Sequence, residues 1–254
     1  MLGRDHLLLT VATVSLVLAP LFTLYPTFVV VALVGTAVGS LIPDADSPDA
    51  AIFHTRVSGL RGGIGDVLNS IGVLYPVFGY VTKYLIYRPS VKFYDAFVFT
   101  ETNIEERHRG FLHSFLGLGT AAVLTGVYLL PLLYVIDLIS VVYIGVFLLA
   151  YLAGALLHLV EDSCTKSGIQ WHYPFRQWKI RGNLTTTTRL RDTIYQRIFS
   201  MILGGGVVLL FFLPSIYTEI SPILFALIGV AAGGVLWLVF AFFVAKCEII
   251  EATN

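Results

Sequence analysis

The sequence predicts an all-α, multi-pass transmembrane helix bundle, with about six spans in three hairpins and one extra interfacial or re-entrant segment. Hydrophobic residues make up 57% of the 254 residues and charged residues only 13%, and the mean hydropathy is +0.83. Soluble domains usually carry about 25% charged residues. A chain this apolar needs lipid as its solvent.

Each predicted span is an apolar stretch close to the roughly 20 residues that a helix needs to cross the hydrocarbon core. Short connections join neighbouring stretches in pairs, and long polar segments separate the pairs, so we expect three hairpins in a single integral membrane domain, 1–254. Residues 1–175 would form the core of a metal site, and 176–254 a basic loop and the last hairpin. The six stretches are 6–24, 27–42, 111–130, 138–158, 198–214 and 221–245.

The segment 64–87 is long enough to span but carries Asp66, Asn69 and Lys83 around Pro76. If it lies in the interface, all 16 Lys and Arg residues fall on one side of the membrane, together with both termini. The opposite connections then carry only Asp137 and Glu219. By the positive-inside rule the basic side is cytoplasmic. We therefore expect 64–87 to stay at the interface of the inner, cytoplasmic membrane, with both termini inside the cell.

The charges balance at 16 basic and 16 acidic residues, so no overall field favours nucleic acid as a partner. The expected partner is the lipid bilayer, and oligomeric state cannot be derived. Cys164 and Cys247 lie far apart in sequence, and each is expected to be a free thiol.

All six histidines fall in polar segments or at helix ends on the predicted cytoplasmic side. His158 and Asp162 are four residues apart at the end of a span, so one helical face presents both. Asp44 and Asp46 follow Pro43, which ends the second span. Carboxylates this close to hydrocarbon are costly to ionise without a counter-charge, and a divalent cation supplies one.

The stretch from Arg107 to Ser114 opens the third span. His108 and His113 would diverge on one helix because they are five residues apart. We therefore place His108 in the loop before the span and His113 on its first turn. Arg109 at this helix start suits a phosphate, which a guanidinium binds through two parallel hydrogen bonds.

Together these positions supply three imidazoles and three carboxylates from four helix ends. Such a set suits zinc, with manganese or iron as alternatives, and has enough ligands for one or two ions. Hydrolysis by activated water is the expected chemistry. A protein that binds a cation for transport, sensing or structure, without hydrolysis, stays open as the alternative. Transport predicts ionisable groups in the middle of the spans, and the predicted spans lack them, which favours the hydrolase. The set is His6, Asp44, Asp46, His113, His158 and Asp162.

Four stretches together resemble the YdjM-like family of membrane-bound metal-dependent hydrolases. They are His6 at the start of the first span, Ile42 to Asp46, His108 to Ser114, and His158 through Thr165, Gly168 and Pro174-Phe175. The chain has Asp5 and Leu112 where the family usually has threonine. The family is distantly similar to zinc-dependent phospholipase C and P1 nuclease, which implies a phosphoester substrate; the membrane setting suggests a lipid.

The resemblance implies His6, Asp44, His113, His158 and Asp162 as metal ligands, and Asp46 as a bridging ligand or general base. His108 and Arg109 would hold or protonate the leaving group. Thr165 would orient the Asp162 carboxylate, and Gly168 would end the helix. His54 and His172 are expected to lie outside the site.

Overall fold

A computed structural model describes residues 3–60, 62–97, 104, 106–135, 140–185, 190–212 and 221–251. Most of these residues are helical, which agrees with the predicted fold class. The helices are α1 (Gly3–Leu18), α2 (Pro26–Gly39), α3 (Gly62–Ser70), α4 (Leu74–Tyr80), α5 (Arg88–Phe97), α6 (Phe115–Val135), α7 (Val141–Ser163), α8 (Leu190–Phe212) and α9 (Pro222–Val239).

Within the part of the chain that the structure describes, four helical segments are long and apolar enough to cross a bilayer: Gly3–Leu21, Pro26–Asp46, Val141–Ser163 and Pro222–Val244. The apolar parts of α6 and α8, Phe115–Pro131 and Arg197–Leu210, are shorter than a full span. The structure thus supports membrane insertion through four candidate spans, and the count of six stays a prediction. Asp137 and Glu219, on which the predicted sidedness partly depends, lie outside the described residues.

Several helix boundaries differ from the sequence prediction. Helix α2 ends at Gly39, before Pro43, which instead begins a 3-10 turn over Pro43–Asp46. Helix α6 continues through Pro131 to Val135, although we expected Pro131 to begin a connection. Membrane helices tolerate an internal proline when neighbouring groups compensate for the lost hydrogen bond. Helix α7 runs to Ser163 and α8 begins at Leu190, so both helices extend beyond the predicted apolar stretches. Charged residues lower the hydropathy of these extensions but do not break a helix.

The segment 64–87 is helical but is not among the candidate spans. It contains α3, α4 and a π-helical stretch over Val81–Tyr87 that leads into α5. Large apolar side chains along this segment are exposed, among them Val77, Tyr80, Tyr84 and Leu85. The Arg88 guanidinium lies over the Tyr84 ring. Exposed aromatic and basic side chains of this kind are typical of a segment at the membrane interface.

Helices α2 and α7 lie in direct backbone contact. A Cβ added at Gly35 would lie 2.5 Å from the Phe147 carbonyl oxygen, and one added at Gly39 would overlap the Tyr151 carbonyl oxygen. From the other side, a Cβ at Gly154 would overlap Thr36. Small residues four apart permit this close approach between membrane helices. As a result the end of α2, which leads to Asp44, lies beside the His158 and Asp162 turn of α7.

A small antiparallel sheet joins the segment after α7 to the C-terminal end, which the sequence did not predict. Strand β1 (Trp178–Arg181) pairs with β2 (Glu248–Glu251). The Asn183 amide donates to the Ala245 carbonyl, and the Leu184 amide donates to the Cys164 carbonyl. The C-terminal end is therefore fastened to the same end of α7 that carries Asp162.

Candidate metal centre

Five side chains from four separate elements meet at one end of the bundle, and we call them the five-residue cluster. The first turns of α1 contribute a histidine, the turn after α2 an aspartate, the turn before α6 a histidine, and the last turns of α7 a histidine and an aspartate. The histidines are almost wholly buried, and the chain neighbours Leu7, Ala45 and Leu112 belong to the main hydrophobic core. The five residues are His6, Asp44, His113, His158 and Asp162.

The three Nε2 atoms of the cluster face the two carboxylates. His158 Nε2 lies 3.6 Å from Asp44 Oδ1 and 3.8 Å from Asp162 Oδ2. His113 Nε2 lies 3.7 Å from Asp44 Oδ1 and 3.6 Å from Asp162 Oδ2. His6 Nε2 lies 3.5 Å from Asp162 Oδ1. These distances exceed a normal hydrogen bond, but ligand atoms bound at about 2.1 Å to a shared ion lie about 3 to 4 Å apart.

The Nδ1 atoms of two of the histidines have hydrogen-bond partners outside the cluster, whereas His113 Nδ1 lies 3.3 Å from Asp46 Oδ2 without a hydrogen bond. His158 Nδ1 donates to the Ser40 carbonyl oxygen at 2.7 Å. Because a carbonyl can only accept, that proton must sit on Nδ1, and the Nε2 lone pair is left for a cation. His6 Nδ1 lies 2.5 Å from Glu161 Oε2, and the Thr10 hydroxyl donates to Glu161 Oε1 at 2.9 Å. Metal-binding histidines are oriented in this manner.

Two of the inward-facing nitrogens are buried without a hydrogen bond, His113 Nε2 and His158 Nε2. A buried polar atom with no partner costs free energy, and native structures seldom tolerate it. A divalent cation between these nitrogens and the carboxylates would satisfy them and balance the negative charge. The donor set therefore fits a metal ion.

Burial on its own lowers the pKa of His113, but the neighbouring Asp44 and Asp46 carboxylates outweigh burial and raise that pKa to about 9. His113 lies in the turn before α6. The negative charge of the carboxylates, which stabilises a proton on the His113 ring, also favours a metal cation at that position.

Asp46 lies on the outer side of His113. Its Oδ2 is 3.3 Å from His113 Nδ1 and accepts from the Arg109 amide at 3.0 Å. Its Oδ1 is 2.8 Å from His108 Nδ1. Among the described residues, three groups have ligand atoms within 4.8 Å of one another, and Asp46 belongs to none of them. The groups are His6, Asp44 and His158; Asp44, His108 and His113; and His113, His158 and Asp162. This position suits orientation of two histidines, and the bridging role stays a prediction.

His108 lies in the loop before α6, as predicted, and its side chain is 49% exposed. His113 ends a 3-10 turn, Phe111–His113, that precedes α6, so it lies just before the helix and not on its first turn. Because His113 is buried and His108 is open to solvent, the two rings differ in role. Asp44, His108 and His113 together form one of the three groups.

Arg109 adopts a left-handed backbone conformation with φ of 60° and reaches over the cluster. Its Nη2 donates to Asp162 Oδ1 at 2.8 Å, and its Nη1 donates to Thr165 Oγ1 at 3.1 Å and contacts the Ser167 hydroxyl. Thr165 Oγ1 itself donates to the backbone carbonyl of Asp162. Thr165 therefore reaches the Asp162 carboxylate through Arg109, and not directly as we expected.

Gly168 does not end α7, because the helix stops at Ser163. It has φ of 59°, and a Cβ there would overlap the Ile180 carbonyl oxygen. Its role is a tight turn that lets Ile169 pair with Ile180. His172 contacts the rings of Phe115 and Trp178, and His54 is exposed on a loop. Neither belongs to the described metal groups, as predicted.

Two partners of the cluster were missed by sequence reasoning, Glu161 and Ser40. Glu161 is next to Asp162, but its pairing with His6 joins positions 155 residues apart. Ser40 acts through its main-chain oxygen, so no side-chain pattern could reveal it. For Glu161 the signal was present, since an acidic residue in the last turn of a span calls for a partner.

The family model of the YdjM inner membrane protein matches residues 1–250, so it covers every residue of the five-residue cluster and nearly the whole chain. No curated protein and no solved structure matches. The match across almost the full length shows that the chain belongs to the YdjM inner membrane protein family.

Proposed function

We propose that this protein is a membrane-bound metal-dependent hydrolase that acts on a phosphoester at the cytoplasmic face of the membrane. One observation supports this most strongly. Three histidines turn their Nε2 atoms toward two carboxylates, while other groups occupy or face each Nδ1. Zinc suits this mixed nitrogen and oxygen set, with manganese or iron as alternatives.

The metal would be held by the five-residue cluster, as one ion or as two. A bound divalent cation supplies polarisation of a phosphoryl oxygen and activation of water at neutral pH. The remaining work falls to side chains on the open side of the cluster, where His108, Asp44 and Arg109 are the partly accessible groups.

His108 and Arg109 supply proton transfer and charge there. Asp46 faces His108 Nδ1 and orients the ring, so that Nε2 can give a proton to a leaving group. The Arg109 guanidinium attracts the negative charge of a phosphoester and holds Asp162 in place. Asp46, His108 and Arg109 are thus proposed as the catalytic residues.

A lipid substrate is favoured by an apolar groove of about 690 Å³ among α1, α2, α7 and α9. The lining residues on α7 run from Val146 to Val160, a length of about 21 Å at 1.5 Å per residue. This length exceeds the thickness of one leaflet of hydrocarbon, which is about 15 Å. The Thr13 hydroxyl in the lining bonds to Leu9 and Trp237. The groove ends one residue from Glu161, so a lipid tail there would place its headgroup near the cluster.

The membrane arrangement proposed with this function has six spans, both termini in the cytoplasm and residues 64–87 at the interface. This arrangement places the cluster and all 16 basic residues on one side. Cysteine-scanning with a membrane-impermeant reagent in a background without the two native cysteines would test it.

The enzyme test uses detergent-purified protein with its metal content measured beside Asp162→Ala, and Asp49→Ala as the matched control. All three proteins are given mixed phospholipid vesicles and a soluble phosphodiester. Stoichiometric metal with release of headgroup from vesicles, lost in Asp162→Ala only, is the expected result. Turnover of the soluble ester alone would assign a free phosphoester as substrate and reject the lipid.

A second candidate function is cation binding for transport, sensing or structure, without hydrolysis. The buried, charge-matched cluster would serve it equally well. Tight metal that disappears in Asp162→Ala, with no turnover of either substrate, would support this candidate and reject the hydrolase.

A further inference from the structure

The two cysteines are 83 positions apart in sequence but adjacent in the fold. Cys247 Sγ lies 3.9 Å from Cys164 Sγ, and both are free thiols. Cys247 Sγ also lies 3.6 Å from the Ser163 carbonyl oxygen. The sequence has only these two cysteines, so any disulfide within one chain must join them.

Main-chain hydrogen bonds hold both thiols in this position. The Cys164 amide donates to the Glu161 carbonyl, and its own carbonyl accepts from the Leu184 amide. The Cys247 amide donates to the Ala241 carbonyl, and the next strand residues pair through β2. Because ordered backbone supports each side, the contact between the sulfurs follows from the fold.

The two thiols differ in access. Cys164 is fully buried, with 0% of its surface exposed, whereas Cys247 is partly exposed. A small oxidant therefore reaches Cys247 first, and Cys164 can react only with a group that Cys247 presents to it.

We propose that Cys164 and Cys247 are a redox-active dithiol pair that a hydroperoxide converts to an intramolecular disulfide. With hydrogen peroxide, the Cys247 sulfur attacks one oxygen, the O–O bond breaks, and a sulfenic acid and one water form. The Cys164 sulfur then attacks the Cys247 sulfur, the S–O bond breaks, and a second water leaves. The two thiols lose two electrons and two protons, which reduce the peroxide to two waters.

The new bond would link the end of α7, two residues beyond Asp162, to the segment that leads into β2. The loop it closes contains β1, α8 and α9. Oxidation would therefore hold the C-terminal helices to the end of α7 that carries part of the five-residue cluster. The proposal uses only the two sulfurs and does not depend on hydrolysis.

The test is intact-mass measurement of the reduced full-length protein in detergent after hydrogen peroxide, with a dimedone-type probe for sulfenic acid. Wild type is expected to lose ~2 Da as a monomer and to recover it with dithiothreitol. Cys164→Ser should accumulate the probe at Cys247, and Cys247→Ser should stay unmodified because Cys164 is buried.

A wild type that takes up the probe at Cys247, forms only disulfide-linked dimers, or stays reduced under peroxide would overturn the proposal. If a variant does not fold, the wild type alone decides, because its two cysteines leave one intramolecular product. As a second readout, peroxide should raise the thermal midpoint of wild type and leave both serine variants unchanged.

Discussion

Two polar clusters lie near the beginning of α1, and they differ in burial far more than in composition. The five-residue cluster is almost fully enclosed, and its ring nitrogens face carboxylates. The surface cluster, defined as Arg4, Asp49, His54 and Arg56, lines an open cleft of about 600 Å³. Both combine histidine, aspartate and a nearby arginine.

The difference shows what turns such residues into a candidate metal site. Side chains of the surface cluster keep their water, so their charges need no further partner. Those of the five-residue cluster have lost water, and two of their inward nitrogens have no hydrogen bond. These residues need a cation because they are buried together, and not because of their residue types alone.

The difference in burial between the two clusters should be lost most completely if α2 and α7 are forced apart. Gly39→Ala places a Cβ against the Tyr151 carbonyl, and the free energy of unfolding should fall by about 3 kcal/mol or more. Gly145→Ala, on α7 with open space around it, should be neutral. Thermal unfolding in detergent checks both, and equal midpoints would contradict the close contact.

Removal of one inward-facing histidine should separate the two clusters next most clearly. His158→Ala is expected to weaken metal affinity by more than ~100-fold, since loss of an orienting partner alone costs 10–100-fold. His54→Ala, in the surface cluster, should bind as wild type does. Titration of metal-free protein with zinc measures both affinities. Similar losses of affinity in the two variants would show that the two clusters do not differ in metal binding.

The pH dependence of metal binding should sharpen the comparison. Because the pKa of His113 is raised to about 9, this ring carries a proton at neutral pH in metal-free protein and must release it to bind metal. Affinity should therefore rise up to tenfold per pH unit and level off above about pH 9. A flat affinity across this range would mean that no proton is displaced.

The raised pKa of His113 also affects the stability of the metal-free protein, in the opposite direction: its contribution to stability falls as pH rises. A histidine whose folded pKa exceeds its unfolded value stabilises the fold below the unfolded pKa, about 6.5, and loses this contribution as pH rises through about 9. Asp46→Asn removes one of the carboxylates that raise this pKa. The pH profile of metal affinity and the pH profile of stability should therefore both move to lower pH.

The smallest expected effect concerns the carboxylate behind His6. Glu161→Gln keeps the shape of the side chain but weakens its hold on His6 Nδ1, and metal affinity should fall ~10–100-fold. Glu248→Gln alters an exposed pair with Arg181 and should leave affinity unchanged. An unaltered affinity in Glu161→Gln would show that this pairing does not orient the ligand.

Much of the site could be predicted because helix periodicity and charge placement act locally. The four-residue spacing of His158 and Asp162 defines a shared helical face, and the charges of Asp44 and Asp46 mark the polar segment that follows the second span. These positions needed no knowledge of distant contacts. Membrane insertion followed for the same reason, since hydropathy is a property of each segment alone.

The rest depended on contacts between distant parts of the chain. Pairing of β1 with β2, the approach of Cys164 to Cys247, and the Ser40 carbonyl behind His158 join residues more than 65 positions apart. Hydropathy also misplaced the start of α8, because residues 190–197 are polar yet continue the helix. Local patterns carry no information on such contacts.

The central claim is that the five-residue cluster holds a shared cation, and X-ray absorption at the zinc edge of zinc-loaded protein tests it most directly. We expect stoichiometric zinc with nitrogen and oxygen ligands, imidazole scattering and no sulfur, and loss of this signal in His158→Ala. Substoichiometric zinc, sulfur ligation, or an identical spectrum in that variant would contradict the claim.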